Sequence, residues 1–105
     1  MSETAQLTTT IAGMLRLQLA STLVLLADAP EPLHSQLAAL SQELTAAESA
    51  GFSDSVSETY IRAAATARSA GKTALSQGYT VAATTLRLAA GRLERAGWFV
   101  GAHAA

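Results

Sequence analysis

Apolar residues recur along this chain at steps of three and four, the spacing that keeps side chains on one face of an α-helix. In the first segment the set is Leu7, Ile11, Leu15, Leu19, Leu23 and Leu26. It predicts a helix from about Ser2 to Ala27, with Ser2 as cap and Glu3 near the positive end of the helix dipole. Leu17, Val24 and Leu25 add a second apolar flank, so this helix is expected to be the most buried. Asp28-Ala-Pro30-Glu-Pro32 then removes two amide donors and disfavours helix at the preceding residues. Asp28 and Glu31 have the spacing of a capping box. A break or bend is therefore expected at 28–32.

The segment from Leu33 to Ala50 has the most regular pattern. Leu33, Leu37, Leu40, Leu44 and Ala47 step by four and three, an a/d seam of the coiled-coil kind, with Gln36, Ser41, Gln42, Glu43 and Glu48 on the other faces. Gly51 supplies a stop. Beyond it, Ser55 and Glu58 form a second capping-box pair, and Val56, Tyr60, Ala63, Ala67, Ala70 and Ala74 continue the seam. Gly71 and Gly78 weaken helix locally. Past them the seam resumes in a shifted phase through Leu75, Tyr79, Ala82, Leu86, Ala89 and Leu93, which alters coiling. A kink or loosened turn is expected near 71–78, and a frayed tail over 98–105.

The chain reads as one all-α domain of 105 residues. One arm spans 2–50 and is rich in leucine; the other spans 53–97 and is rich in alanine. With a turn near Gly51, the architecture expected is an antiparallel helical hairpin or a three- to four-helix bundle. Composition sharpens this picture. Alanine contributes 24 residues and aromatics only five (Phe52, Tyr60, Tyr79, Trp98, Phe99). Alanine favours helix but buries little area, and small chains have thin cores. A second chain is therefore expected to complete the packing. The partner-interface candidates are Leu33, Leu37, Leu40, Leu44, Tyr60, Trp98 and Phe99. The default for the leucines is an internal core, and for Trp98 a fold back onto the chain's own helices. A thin alanine arm argues for some of them meeting a partner.

Charge and chemistry narrow the function classes. Seven Lys/Arg against eight Asp/Glu leave a net charge of −1, without the basic face that nucleic-acid binding needs. The absence of cysteine excludes disulfides, thiolate catalysis and cysteine–zinc sites. Residues 11–27 are strongly apolar, but Arg16 and Gln18 interrupt them and the stretch is short of a membrane span. Ala27-Asp28-Ala29 imitates a signal cleavage site without the basic start that a signal peptide has. His34 and His103 lack a ligand at metal spacing, Gly71-Lys72-Thr73 lacks the first glycine of a phosphate loop, and the Ser and Thr residues form no nucleophile elbow. No enzyme activity, metal, cofactor or small-molecule substrate is expected.

The run from Phe52 to Gly97 resembles the C-terminal half of small mycobacterial ESX secretion-associated proteins of the EspC-like kind, which belong with the Trp-x-Gly helical-hairpin substrates of type VII secretion. The matching residues are the Phe52-Ser-Asp54-Ser-Val56 start and the Leu86-Arg87-Leu88-Ala89-Ala90 run. The resemblance implies a secreted or cell-surface protein that pairs with another helical hairpin. Two features depart from it. Gly51-Phe52-Ser53 stands where the Trp-x-Gly turn belongs, and Leu93 and Gly97 stand where the Tyr-x-x-x-Asp/Glu export signal belongs. The resemblance then implies export together with a partner that carries the signal. Apart from the resemblance, the same residues read as a cytoplasmic homodimeric helical adaptor, antitoxin-like or regulatory.

Overall fold

Two interruptions, at the proline pair and at Gly78, set the topology. The computed structural model describes the backbone over residues 3–50 and 54–103, and side chains over 13–49 and 57–100. Over these residues the chain forms four helices: α1 (Glu3–Leu25), α2 (Leu33–Ala50), α3 (Asp54–Ser76) and α4 (Thr80–His103). The expected Ser2 cap and the turn at Gly51 lie outside the described residues. α1 packs on α2 and α4, and α3 packs on α2 and α4, while the diagonal pairs do not meet. Short connections make sequential neighbours antiparallel, so the result is a four-helix bundle measuring 42 × 19 × 18 Å.

The prolines act as expected. The amides of Ala27 and Ala29 bond to the carbonyls of Val24 and Leu26, tightening the end of α1. The cap of α2 is Glu31 alone rather than an Asp28–Glu31 pair. Its carboxylate accepts the Ser35 amide at 2.7 Å and the Ser35 hydroxyl, and Pro32 stands just before the first helical residue, where its missing amide costs nothing. His34 Nδ1 donates to the Ala27 carbonyl at 3.0 Å, tying the start of α2 to the end of α1.

At Gly78 the structure departs from the expected kink, because the chain reverses completely. Gly78 has φ +91°, a conformation that costs a residue with a Cβ about 1–2 kcal/mol. Its amide bonds to the Leu75 carbonyl at 3.1 Å, and the Tyr79 amide reaches the Ala74 carbonyl at 2.9 Å. This pair of bonds is a Schellman motif, and it ends α3. The phase shift in the seam therefore marks the boundary between two helices. Leu75 and Tyr79 fall at that boundary and are half-exposed, outside the core in which the seam placed them. Both turns lie at one end of the bundle, where Gln77 Nε2 donates to the Pro30 carbonyl at 3.3 Å. The expected fraying of the tail is absent as far as His103, the last residue of α4.

Large residues pack against small ones in the core. Leu15, Leu19 and Leu26 of α1 and Leu33, Leu37, Leu40 and Leu44 of α2 are buried. Facing them are Ala63, Ala64, Ala67, Ala70 and Ala74 of α3, and Leu86, Leu93 and Val100 of α4 among further alanines. Each buried leucine contributes ~1.5–3 kcal/mol. The small residues bring α3 and α4 together most tightly at Gly97. A Cβ built there would stand 2.7 Å from Ile61 Cδ1 and 3.2 Å from Tyr60 Cβ.

Candidate interaction face

The seam leucines, candidates for a partner interface whose default is an internal core, belong to the chain's own core. Leu33, Leu40, Leu44 and Tyr60 are fully buried and Leu37 nearly so. The bundle closes over them because α3 and α4 are separate antiparallel helices. Together these offer the leucine arm two alanine-lined surfaces where a single long arm would offer one. The surface positions are instead Trp98, 63% exposed, and Phe99, 36% exposed. Trp98 thus does not fold into the core. The two aromatics also diverge by about 100° round α4. Phe99 lies on the α1 flank with Leu88 and Arg92, and Trp98 on the α3 flank with Arg87 and Glu94.

The apolar surface lies elsewhere, on α1 and α4. Leu17, Val24 and Leu25 are 69%, 75% and 82% exposed, which overturns the expectation that α1 is the most buried helix. The reason is geometric. A helix in a four-helix bundle buries one stripe, and Leu15, Leu19, Thr22 and Leu26 already fill it. The second flank turns to solvent. There Met14, Leu17, Ser21 and Val24 step by three, four and three, an a/d seam left unpaired. Beside it, α4 exposes Val81 and Leu88. By contrast, α2 exposes no large apolar side chain among the described residues; its outer face carries His34, Ser35, Ala38, Gln42 and Thr45.

A groove runs between α1 and α4 along this face. At the turn end it opens into a cavity of about 430 Å³ lined by Leu25, Leu26, Tyr79, Val81 and Ala82 together with Thr22 and Thr80. Midway, Gln18, Leu19, Thr85, Leu88 and Arg92 line a recess of about 170 Å³. Further along, Met14, Leu15, Gln18 and Arg92 border one of about 370 Å³. The Arg92 guanidinium donates to Gln18 Oε1 at 2.6 Å and bridges the two helices across the groove floor. The groove is therefore mainly apolar, edged by threonines and crossed by the Arg92–Gln18 bridge, a form that can receive the ridge of another helix.

The polar contacts elsewhere hold helices together. Arg16 reaches Glu48 through Nε at 2.6 Å and Nη2 at 3.3 Å, clamping α1 to α2. The guanidinium holds the Glu48 carboxyl below its ordinary range, and the carboxylate raises Arg16 in return. Arg68 pairs with Glu94 at 3.0 Å between α3 and α4. Among the described residues no three His, Cys, Asp or Glu side chains come together to hold a metal ion. No helix of the described residues is long and apolar enough to cross a membrane. No family model, curated protein or solved structure matches this chain.

Sequence reasoning missed Leu17, Val24, Leu25, Val81 and Leu88 as surface residues. For the three on α1 one signal was present. Apolar positions on α1 occupy two separate stripes, more than one bundle core can absorb, and the outer stripe keeps heptad spacing.

Proposed function

We propose that this chain is a non-enzymatic helical interaction module that docks another helical protein on its α1/α4 face. The observation that carries the reading is the unpaired heptad stripe of Met14, Leu17 and Val24 beside Val81 and Leu88, on a bundle whose own core is already filled. Contiguous exposed apolar surface of this kind marks interaction sites, and heptad spacing favours a helix as the occupant. Taken with the resemblance of residues 50–97, the module is a type VII secretion-associated substrate or a co-secreted partner, exported with a protein that supplies the missing signal. A second reading is a cytoplasmic homodimeric adaptor, and the placement of charge on the same face favours its homodimeric part.

Co-expression with the product of an adjacent gene, followed by mass measurement in solution, tests the docking reading. The expected result is a complex that Leu17→Glu with Val24→Glu abolishes while far-UV circular dichroism stays unchanged. A complex indifferent to that double substitution would place the interface elsewhere.

A further inference from the structure

We infer that the occupant of the α1/α4 face is a second copy of this chain, packed antiparallel about a twofold axis near Ser21; this rests on the docking reading above in its homodimeric form. Charge placement carries the argument. Among the described residues, the charges bordering the face are Asp28 at the turn end and Arg92 and Arg95 toward the other end. Arg16 is turned away toward Glu48, and Arg87 lies against Gly71 on α3. Arg92 is level with Gln18, so at 1.5 Å per residue Asp28 stands about 15–20 Å along the bundle from the two arginines. Between these poles the face is uncharged.

Such a face complements itself in one orientation. Two copies in parallel would set Asp28 against Asp28 and arginine against arginine. Two antiparallel copies set each Asp28 beside the other's Arg92 and Arg95. The midpoint between the poles falls within about two residues of Ser21, the one small polar member of the outer stripe. A small residue on the axis lets the helices approach, and Leu17 of one copy then meets Val24 of the other. Residue i meeting j while j meets i is the signature of a twofold interface. A whole side of the bundle, 42 by 19 Å, projects about 800 Å², so a standard stable interface, about 800 Å² per partner, would use the full length of the face.

The test uses the full chain and has two parts. Sedimentation equilibrium should give a dimer for the wild type. Leu17→Glu with Val24→Glu should weaken it at least about a hundredfold with helicity unchanged, whereas Ala38→Glu on the polar outer face of α2 should leave it intact. Orientation is read by cross-linking, since the chain has no cysteine of its own. Ser21→Cys should form a disulfide with its own copy. A mixture of Asp28→Cys and Arg95→Cys chains should cross-link to each other, and neither should do so alone. Self-linking of Asp28→Cys would mean a parallel pair and overturn the proposal. A wild-type monomer that nonetheless loses a different helical partner on Leu17→Glu/Val24→Glu would overturn the second copy and leave the docking face standing. A dimer untouched by the double variant would overturn both.

Discussion

Gly97 shows how a single hydrogen can set the distance between two helices. Its missing side chain lets α4 lie on Tyr60 and Ile61, and the Ser57 hydroxyl then reaches the Gly97 carbonyl at 2.8 Å. The Ile61 methyl could swing aside, since Ile61 is 38% exposed, but Tyr60 Cβ belongs to a fully buried residue and cannot. Gly97→Leu should therefore overpack this contact at a cost of about 1–3 kcal/mol. In a chain of this size each kcal/mol lowers the melting temperature by ~4–8 °C. Thermal unfolding followed by circular dichroism reads the loss. Adding Ile61→Ala should recover part of it if the clash is the cause. An unchanged melting temperature for Gly97→Leu would mean that α3 and α4 can part without penalty.

At the scale of elements, the clamp between α1 and α2 makes stability depend on acid. The Arg16 hydrogen bond lowers the Glu48 carboxyl below its unfolded value. The clamp's contribution is thus complete above the ordinary carboxylate range, about pH 4–5. It is lost as pH falls through the lowered folded value, where the native state must take up a proton. Glu31, held down by the Ser35 hydroxyl and amide, has the same sign. Urea midpoints at neutral pH and near pH 3 should therefore differ less in Glu48→Gln than in the wild type, and an equal acid loss in both would remove Glu48 as a cause. The elements themselves were largely legible in the sequence. The α2 seam and the proline break read correctly because leucine spacing and missing amides are local properties. The reversal at Gly78 did not, because the same glycine can loosen a helix or cap one. The Ala74 and Leu75 carbonyls that decide between these become partners only after the chain has turned. The outer stripe of α1 was misread for a related reason. Leucine spacing shows that a face is apolar, but which of two apolar faces the core takes depends on where α2 and α4 pack.

For the whole molecule, folding and docking use different leucines, so they should separate experimentally. The core set is buried to within a few per cent of its surface, while Leu17, Val24, Val81 and Leu88 keep 59–82% of theirs in solvent with Leu25. Burial is what apolar side chains contribute to folding, so removing the outer four should change stability little, within the ±0.5 kcal/mol typical of surface positions. The combined variant Leu17→Gln, Val24→Gln, Val81→Gln, Leu88→Gln should keep its helicity and melt close to a monomeric reference such as Leu17→Glu/Val24→Glu. Leu40→Ala supplies the opposite case: a loss of ~2–5 kcal/mol for an emptied core position, with the outer face unchanged. If the four-glutamine variant unfolds while Leu40→Ala does not, the assignment of core and face is reversed, and the seam on α2 is the surface that seeks a partner.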